Sequence, residues 1–216
     1  LRHNVQILVG LGDFVAGLKH NMLCRGDVFG GLNYSEQEEL AAELVATVIF
    51  KVFKKRFDSA LAKRGNGKIT RTDIYKLAED SLLYFVFRVG NHDDWQSDEG
   101  VTPLALFKIK LVSILAQAIS SLFSKKGLNG LDFAGLVNSR VTFVPYHKPI
   151  YHLPSGLCLG LHHPYMARAK TTSLRAQELL RASDCQVEGS ANFHTAIVTE
   201  NWQSDIGQRI VAQVGT

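Results

Sequence analysis

Hydrophobic positions in this chain recur first at helical and then at strand spacing. Val5, Leu8, Val9, Leu11, Phe14, Val15, Leu18 and Met22 follow one another at three- and four-residue steps, which predicts a helix over residues 4–22, although Gly10, Gly12 and Gly17 weaken it. Residues 24–34, with Gly26, Gly30 and Gly31, read as a loop. Ser35 followed by Glu38 spells a capping box. From there Leu40, Leu44, Val45, Val48, Ile49, Val52, Phe53, Phe57 and Leu61 form one apolar stripe, so residues 36–62 are predicted to be a helix stopped by Gly65 and Asn66. A second helix is expected over 72–89, through Ile74, Leu77, Leu82, Phe85 and Val86. Residues 90–101 read as an acidic loop. Thr102 and Pro103 then open a third long helix to about Lys125, with Gly127 after it. Apolar residues cover most of its circumference, so it is expected to be central and buried. A short helix fits Asp132–Val137.

Beyond Ser139 the spacing shortens. Residues 141–144, 150–153 and 157–159 read as strands, the last two joined by a turn at Pro154-Ser155-Gly156. Residues 172–183 read as a helix and 193–198 as a strand, and the last dozen residues favour neither. The fold class expected is α+β: a helix-rich body of three to four packed helices over 1–138, then a small antiparallel sheet region with a helix over 139–216. No Pro/Ser-rich linker divides the two, so a shared core is open to them. Trp95-Gln96-Ser97-Asp98 recurs as Trp202-Gln203-Ser204-Asp205, but the flanks do not match, and the repeat reads as coincidence.

Composition narrows the class. A chain of 216 residues with 46% hydrophobic and 20% charged residues is an ordinary globular one, able to bury a sizeable core. Cys24, Cys158 and Cys185 are odd in number and far apart, which argues against a disulfide framework and for an intracellular, reducing compartment: cytoplasm, or an organelle matrix. The chain opens on leucine, which points to a processed or trimmed start, and no signal-peptide pattern follows. No uninterrupted apolar run reaches about 18 residues, so no transmembrane insertion is expected.

Charge is the feature that changes the picture most. Lys51, Lys54, Lys55, Arg56, Lys63, Arg64, Lys68 and Arg71 stand against the single acid Asp58. That run is +7 where the whole chain is +4, so everything outside it sums to −3. A local excess of this kind attracts phosphate or an acidic partner. The candidate binding residues are Lys51, Lys54, Lys55, Lys63, Arg64, Lys68 and Arg71. The bland reading competes with it: Glu36, Glu38, Glu39 and Glu43 open the helix and lysines close it, as the helix dipole favours anywhere. Within the run, Arg64-Gly65-Asn66-Gly67-Lys68-Ile69 with Asp73 resembles an EF-hand loop. Ala62 and Arg64 fall where carboxylates are needed, so the stretch reads as a helix–helix turn without calcium.

Histidines gather late. His147, His152, His162 and His163 flank Cys158. A tight turn at 154–156 sets His152 opposite Cys158 with His162 on the same face, a set that can hold zinc given a fourth ligand. His92, Asp93, Asp94, Asp98 and Glu99 can hold magnesium, or form a solvated connection. There is no G-x-S-x-G, P-loop or G-x-G-x-x-G motif. Arg25-Gly26-Asp27 and the sequon Asn33-Tyr34-Ser35 carry meaning only in an extracellular chain. The function expected is that of a non-catalytic interaction or assembly protein, part of a larger or homo-oligomeric assembly. Its basic surface would bind an acidic partner, RNA or a nucleoprotein complex first among them, with no cofactor. The alternatives are a metal-dependent enzyme built on His147, His152, Cys158, His162 and His163, and a purely structural subunit of a viral or organellar assembly.

Overall fold

In the computed structural model, the structure describes residues 5–16, 32–64, 70–124, 130–153, 155–163, 174–191, 196–203 and 207–214. The protein is of the α+β class and rich in helix. Two compact units interleave along the chain. The first takes residues 1–8, 15–86 and 104–142, and the second residues 9–14, 87–103 and 143–216.

The longest element is helix α1, Tyr34–Lys63. Its start lies two residues before the expected capping box. Asn33 accepts the Glu36 N–H at 3.0 Å and Glu36 accepts the Asn33 N–H at 2.8 Å, the same reciprocal spacing met earlier in the chain. Glu38, freed from capping its own helix, is buried. Its carboxylate accepts the backbone N–H of Phe107, in the first turn of helix α4, Ala105–Ser124. That N–H has no partner within its own helix.

The face of α1 turned to the core carries Ala42, Ala46, Ile49, Phe53 and Phe57. Leu44 and Val48, expected in the same stripe, are 61% and 56% exposed. The expected stripe was wider than one helix face, and the two residues fall on its far side. Glu38 meets Phe107 at one end of the α1–α4 pair, and Phe57 meets Phe123 edge-on at 5.0 Å toward the other. The two helices therefore run parallel. Phe123 stacks on Phe133 at 4.9 Å, and Phe133 on Tyr75 at 6.1 Å. This row of rings joins α1 and α4 to helix α5, Phe133–Arg140, and helix α2, Arg71–Ser81. α4 is one-sided rather than buried all round. Phe107, Leu111, Leu115, Ile119 and Phe123 are enclosed, while Ile109 is 65% exposed. Among the described residues α4 alone is long and apolar enough to cross a membrane by length and composition.

The helix expected over 72–89 ends at Ser81. Tyr84–Arg88 is strand β2, and four of its five residues are buried. A run of aromatic and β-branched residues that is apolar throughout fits a strand enclosed on both faces as well as it fits a helix. Residues 4–22 likewise form no helix where they are described. Strand β1, Ile7–Gly10, is followed by Gly12 and Asp13 at φ +93° and +52°, which end regular structure. The acidic loop contains a one-turn helix α3, Asn91–Asp94, and a 3₁₀ turn at Trp95–Glu99. β1, β2 and strand β3, Val141–Val144, form a three-stranded sheet in that order.

A five-stranded sheet has the order β4-β5-β6-β8-β7. It is built from Ile150–His152, Cys158–His162, Val187–Ser190, Gly207–Gln213 and Ile197–Gln203, taken in that spatial order. β5, β6 and β8 are parallel, and β4 and β7 close the two edges antiparallel. The small sheet expected to be antiparallel is so at its two edge pairs, β4–β5 and β7–β8, and parallel at its centre. Helix α6, Leu174–Ala182, links β5 to β6, and such a crossover is what parallel neighbours require. β6 was not foreseen, and β8 supplies the structure of the ambiguous C-terminal stretch.

Cys158 and Cys185 form a disulfide, a correction to the unpaired cysteines expected. Disulfides persist in oxidising surroundings, which weighs against a reducing compartment. Cys24 lies outside the described residues.

Burial of Glu38 makes a pH prediction. Burial drives its carboxyl up from 4.5 to about 7, the Phe107 N–H offsetting only part. An acid with a raised folded pKa binds its proton better in the fold, so the stability it contributes is complete below 4.5 and is lost as pH rises through 7. Glu38→Gln, which mimics the protonated form, should match the parent in urea unfolding near pH 4 and exceed it by about 3 kcal/mol near pH 8. Parallel pH profiles for the two proteins would exclude Glu38 as the titrating group.

Candidate functional site

The basic run sits on and beyond the outer face of α1. Lys51, Lys54, Lys55 and Lys63 are exposed. Lys51 and Lys55 follow Leu44 and Val48 at four-, three- and four-residue steps, so one side of the helix grades from apolar to basic. Local acids temper part of the charge: Lys54 Nζ lies 2.6 Å from Asp58, and Arg64 lies 3.3 Å from Asp73. Both pairs are solvent-exposed, where such contacts are worth little. Arg56 belongs to the scaffold. Its guanidinium donates to the carbonyls of Val5, Ser81 and Asp80 at 2.6, 2.9 and 3.2 Å. Arg71 is exposed at the start of α2 and makes further interactions. Lys68 and the EF-hand-like turn at 65–69 lie outside the described residues.

The histidines are distributed differently from the zinc arrangement. His152 and Cys158 are cross-strand partners, as the turn at 154–156 implies. The Cys158 sulfur, however, is bonded to Cys185, and zinc needs a thiolate. His147 and His152 are exposed. His162 Nε2 lies 2.8 Å from the carboxylate of Glu188. Among the described residues no group of three His, Cys, Asp or Glu side chains is placed to hold a metal ion.

Glu188 is the residue this sheet is arranged around. It is wholly buried on β6, and Gly160 is its register partner on β5. A Cβ at Gly160 would occupy the space of the Glu188 carboxylate. Besides His162, that carboxylate accepts from the Ser183 hydroxyl and from Arg209 Nη2 at 3.2 Å. Arg209, also buried, donates to the carbonyls of Ser183 at 2.6 Å and Cys185 at 2.9 Å, at the end of α6. A buried carboxylate survives only with such partners.

A second enclosed pair joins the segment just after β1 to the residue after β5. His163 Nδ1 donates to the Leu11 carbonyl at 2.6 Å, and Nε2 lies 2.9 Å from Asp13. Burial pushes His163 down, yet Asp13 and the Leu11 carbonyl carry it above 6.5. Burial pushes Asp13 up, yet His163 and His92 carry it below 3.8. With both ring nitrogens engaged, His163 is a clamp. The acidic segment is likewise occupied with its own folding. Asp13 accepts the His92 N–H at 3.1 Å, Asp93 accepts the Gly90 N–H at 2.8 Å, and Asp94 accepts from Ser97 at 2.8 Å. The His92 ring stacks on Trp95 at 4.4 Å.

Glu188, Arg209 and Asp13 escaped the sequence reading. The one signal for the first two is a charged residue at an inward position of a strand-like run. No protein family, curated protein or solved structure matches this chain.

Two tests follow. Gly160→Ala should destabilise the protein by more than about 2 kcal/mol in chemical unfolding, because it displaces a buried carboxylate from its partners. An unchanged midpoint would mean that Glu188 does not need the space. The Asp13–His163 pair contributes most between 3.8 and 6.5. Its Asp13 part is lost as pH falls through the lowered pKa, and its His163 part as pH rises through the raised one. Asp13→Asn, which keeps a residue tolerant of positive φ, should therefore cost most inside that window and less on either side of it. A loss that does not change with pH would count against the ion pair.

Proposed function

We propose that this protein is a non-catalytic binding component whose basic outer face of α1 docks on RNA within a nucleoprotein assembly. The observation that supports the reading is the exposure of Lys51, Lys54, Lys55 and Lys63 on α1, with Lys51 and Lys55 opposite Phe53 and Phe57 and Lys54 and Lys63 on the flanks. Phosphate backbones are recognised by such clustered, solvent-facing cations, and the attraction comes from counterion release. Arg56 takes no part, since its donors are committed to backbone carbonyls. Phe53 and Phe57, the aromatics within the basic run, are buried and unavailable for stacking on bases. Recognition of this kind reads the backbone and not the sequence.

The experiment is binding to a mixed-sequence single-stranded RNA over a salt series. Affinity should fall with salt, with a log–log slope of about −0.7 per phosphate contact. The triple variant Lys51→Glu, Lys54→Glu, Lys55→Glu should weaken binding at least about tenfold and flatten that slope. Equal binding by the variant, or none by the parent at low salt, would overturn the reading. Binding that also fails in Leu44→Ser would shift the partner from RNA to an acidic protein surface.

A further inference from the structure

The carboxyl ends of β5, β6 and β8 lie side by side. The three strands are parallel neighbours, and their register aligns His162, Ser190 and Gln213 in one row. Glu188 sits one rung inward, between Gly160 and Val211. Register partners in adjacent strands share a face, and so do residues two apart on a strand. His162, Ser190, Gln213, Glu188 and Val211 therefore project from the same side of the sheet, as the His162–Glu188 contact requires.

Helix α6 covers that side. Ala176, in its first turn, is wholly buried against Val211. Beyond its other end, the Ser183 carbonyl receives Arg209 at the start of β8. α6 thus runs against the strands and points its N-terminus toward the row of His162, Ser190 and Gln213. First-turn N–H groups have no acceptor within their helix, and the helix dipole makes that end attractive to anions. In sheets with parallel strands, ligands bind in the crevice beyond the strand carboxyl ends.

The independent observation is Ser190. Its hydroxyl is fully buried and has no hydrogen-bond partner among the described residues. A hydroxyl in that state costs folding free energy unless something pairs it. Beside it, His162 has Nε2 engaged on the Glu188 carboxylate, which holds the ring in one orientation. Within the row only the His162 side chain keeps some exposure, 13%, while Leu174 at the start of α6 is 40% exposed.

We infer that this edge is a binding site for the phosphate group of a small molecule. The first-turn N–H groups of α6 and the Ser190 hydroxyl donate to its oxygens, and His162 flanks it. Glu188 and Arg209 are positioning residues: they hold His162 and the end of α6 and do not touch the ligand.

The test is a thermal-shift and NMR titration of the whole protein with inorganic phosphate and with phenyl phosphate, against chloride at equal ionic strength. Phosphate should raise the melting temperature and shift the backbone N–H signals of Leu174, Arg175 and Ala176. A larger response to phenyl phosphate would identify a phosphorylated molecule, and not free phosphate, as the preferred form. Ser190→Ala should weaken the response about tenfold while leaving melting in chloride equal or higher, since it removes an unpaired hydroxyl. The Lys51/Lys54/Lys55 reversal should leave the response intact, which separates this site from the RNA-binding face. Two results would overturn the assignment: no response to either phosphate, or a response that survives Ser190→Ala and disappears in the lysine variant.

Discussion

A carboxylate with no access to water constrains the five-stranded sheet more than any other group. Glu188 can be buried only because Arg209, His162 and Ser183 surround it and because Gly160 yields the volume it occupies. Each partner then fixes something else. Arg209 gathers the carbonyls at the end of α6, and His162 takes one ring orientation. The β5–β6 register cannot slip, because a one-residue shift would carry the carboxylate to the opposite face. The disulfide ties the same two strands at their starts. Polar satisfaction and covalent cross-linking thus act on one pair of parallel strands, and the row at their far end inherits that precision.

The first unit is organised by packing. Phe53, Phe57, Phe123, Phe133 and Tyr75 form a continuous row of rings, and the alanines at 42 and 46 leave room for a neighbouring helix. This core uses one side of α1 and spares the other. The basic residues are available because the helix meets its packing requirements without them, with Arg56 the exception.

What was legible in the sequence follows from these two kinds of interaction. α1, α4 and α5 were readable because local spacing decides them, although α1 is capped at Asn33 rather than Ser35 and α4 begins at Ala105 rather than at Thr102-Pro103, and the α+β class followed from the change of period near residue 139. β2 was misread because a run apolar at every position carries no periodicity to choose between helix and strand. β1 was misread because the positive φ at Gly12 and Asp13 is set by the fold around them. The pairing of Cys158 with Cys185, and of Glu188 with Arg209, depends on strand order, which no spacing in the chain encodes. His152 opposite Cys158 was recoverable because a short turn fixes that register. The partner of His162 was not, because it comes from a strand across a helical crossover.

The parallel course of α1 and α4 has a consequence for how the chain matures. Neighbours joined by a tight turn meet soon after they are made. Here Phe107 must be synthesised before Glu38 acquires its hydrogen-bond donor, and Phe123 before Phe57 acquires its ring. During elongation α1 can coil on its own, but its aromatic side waits, exposed, until much of the chain has left the ribosome. In that interval the exposed lysines of α1 place like charges beside an uncovered apolar side, and charge next to an apolar segment opposes self-association.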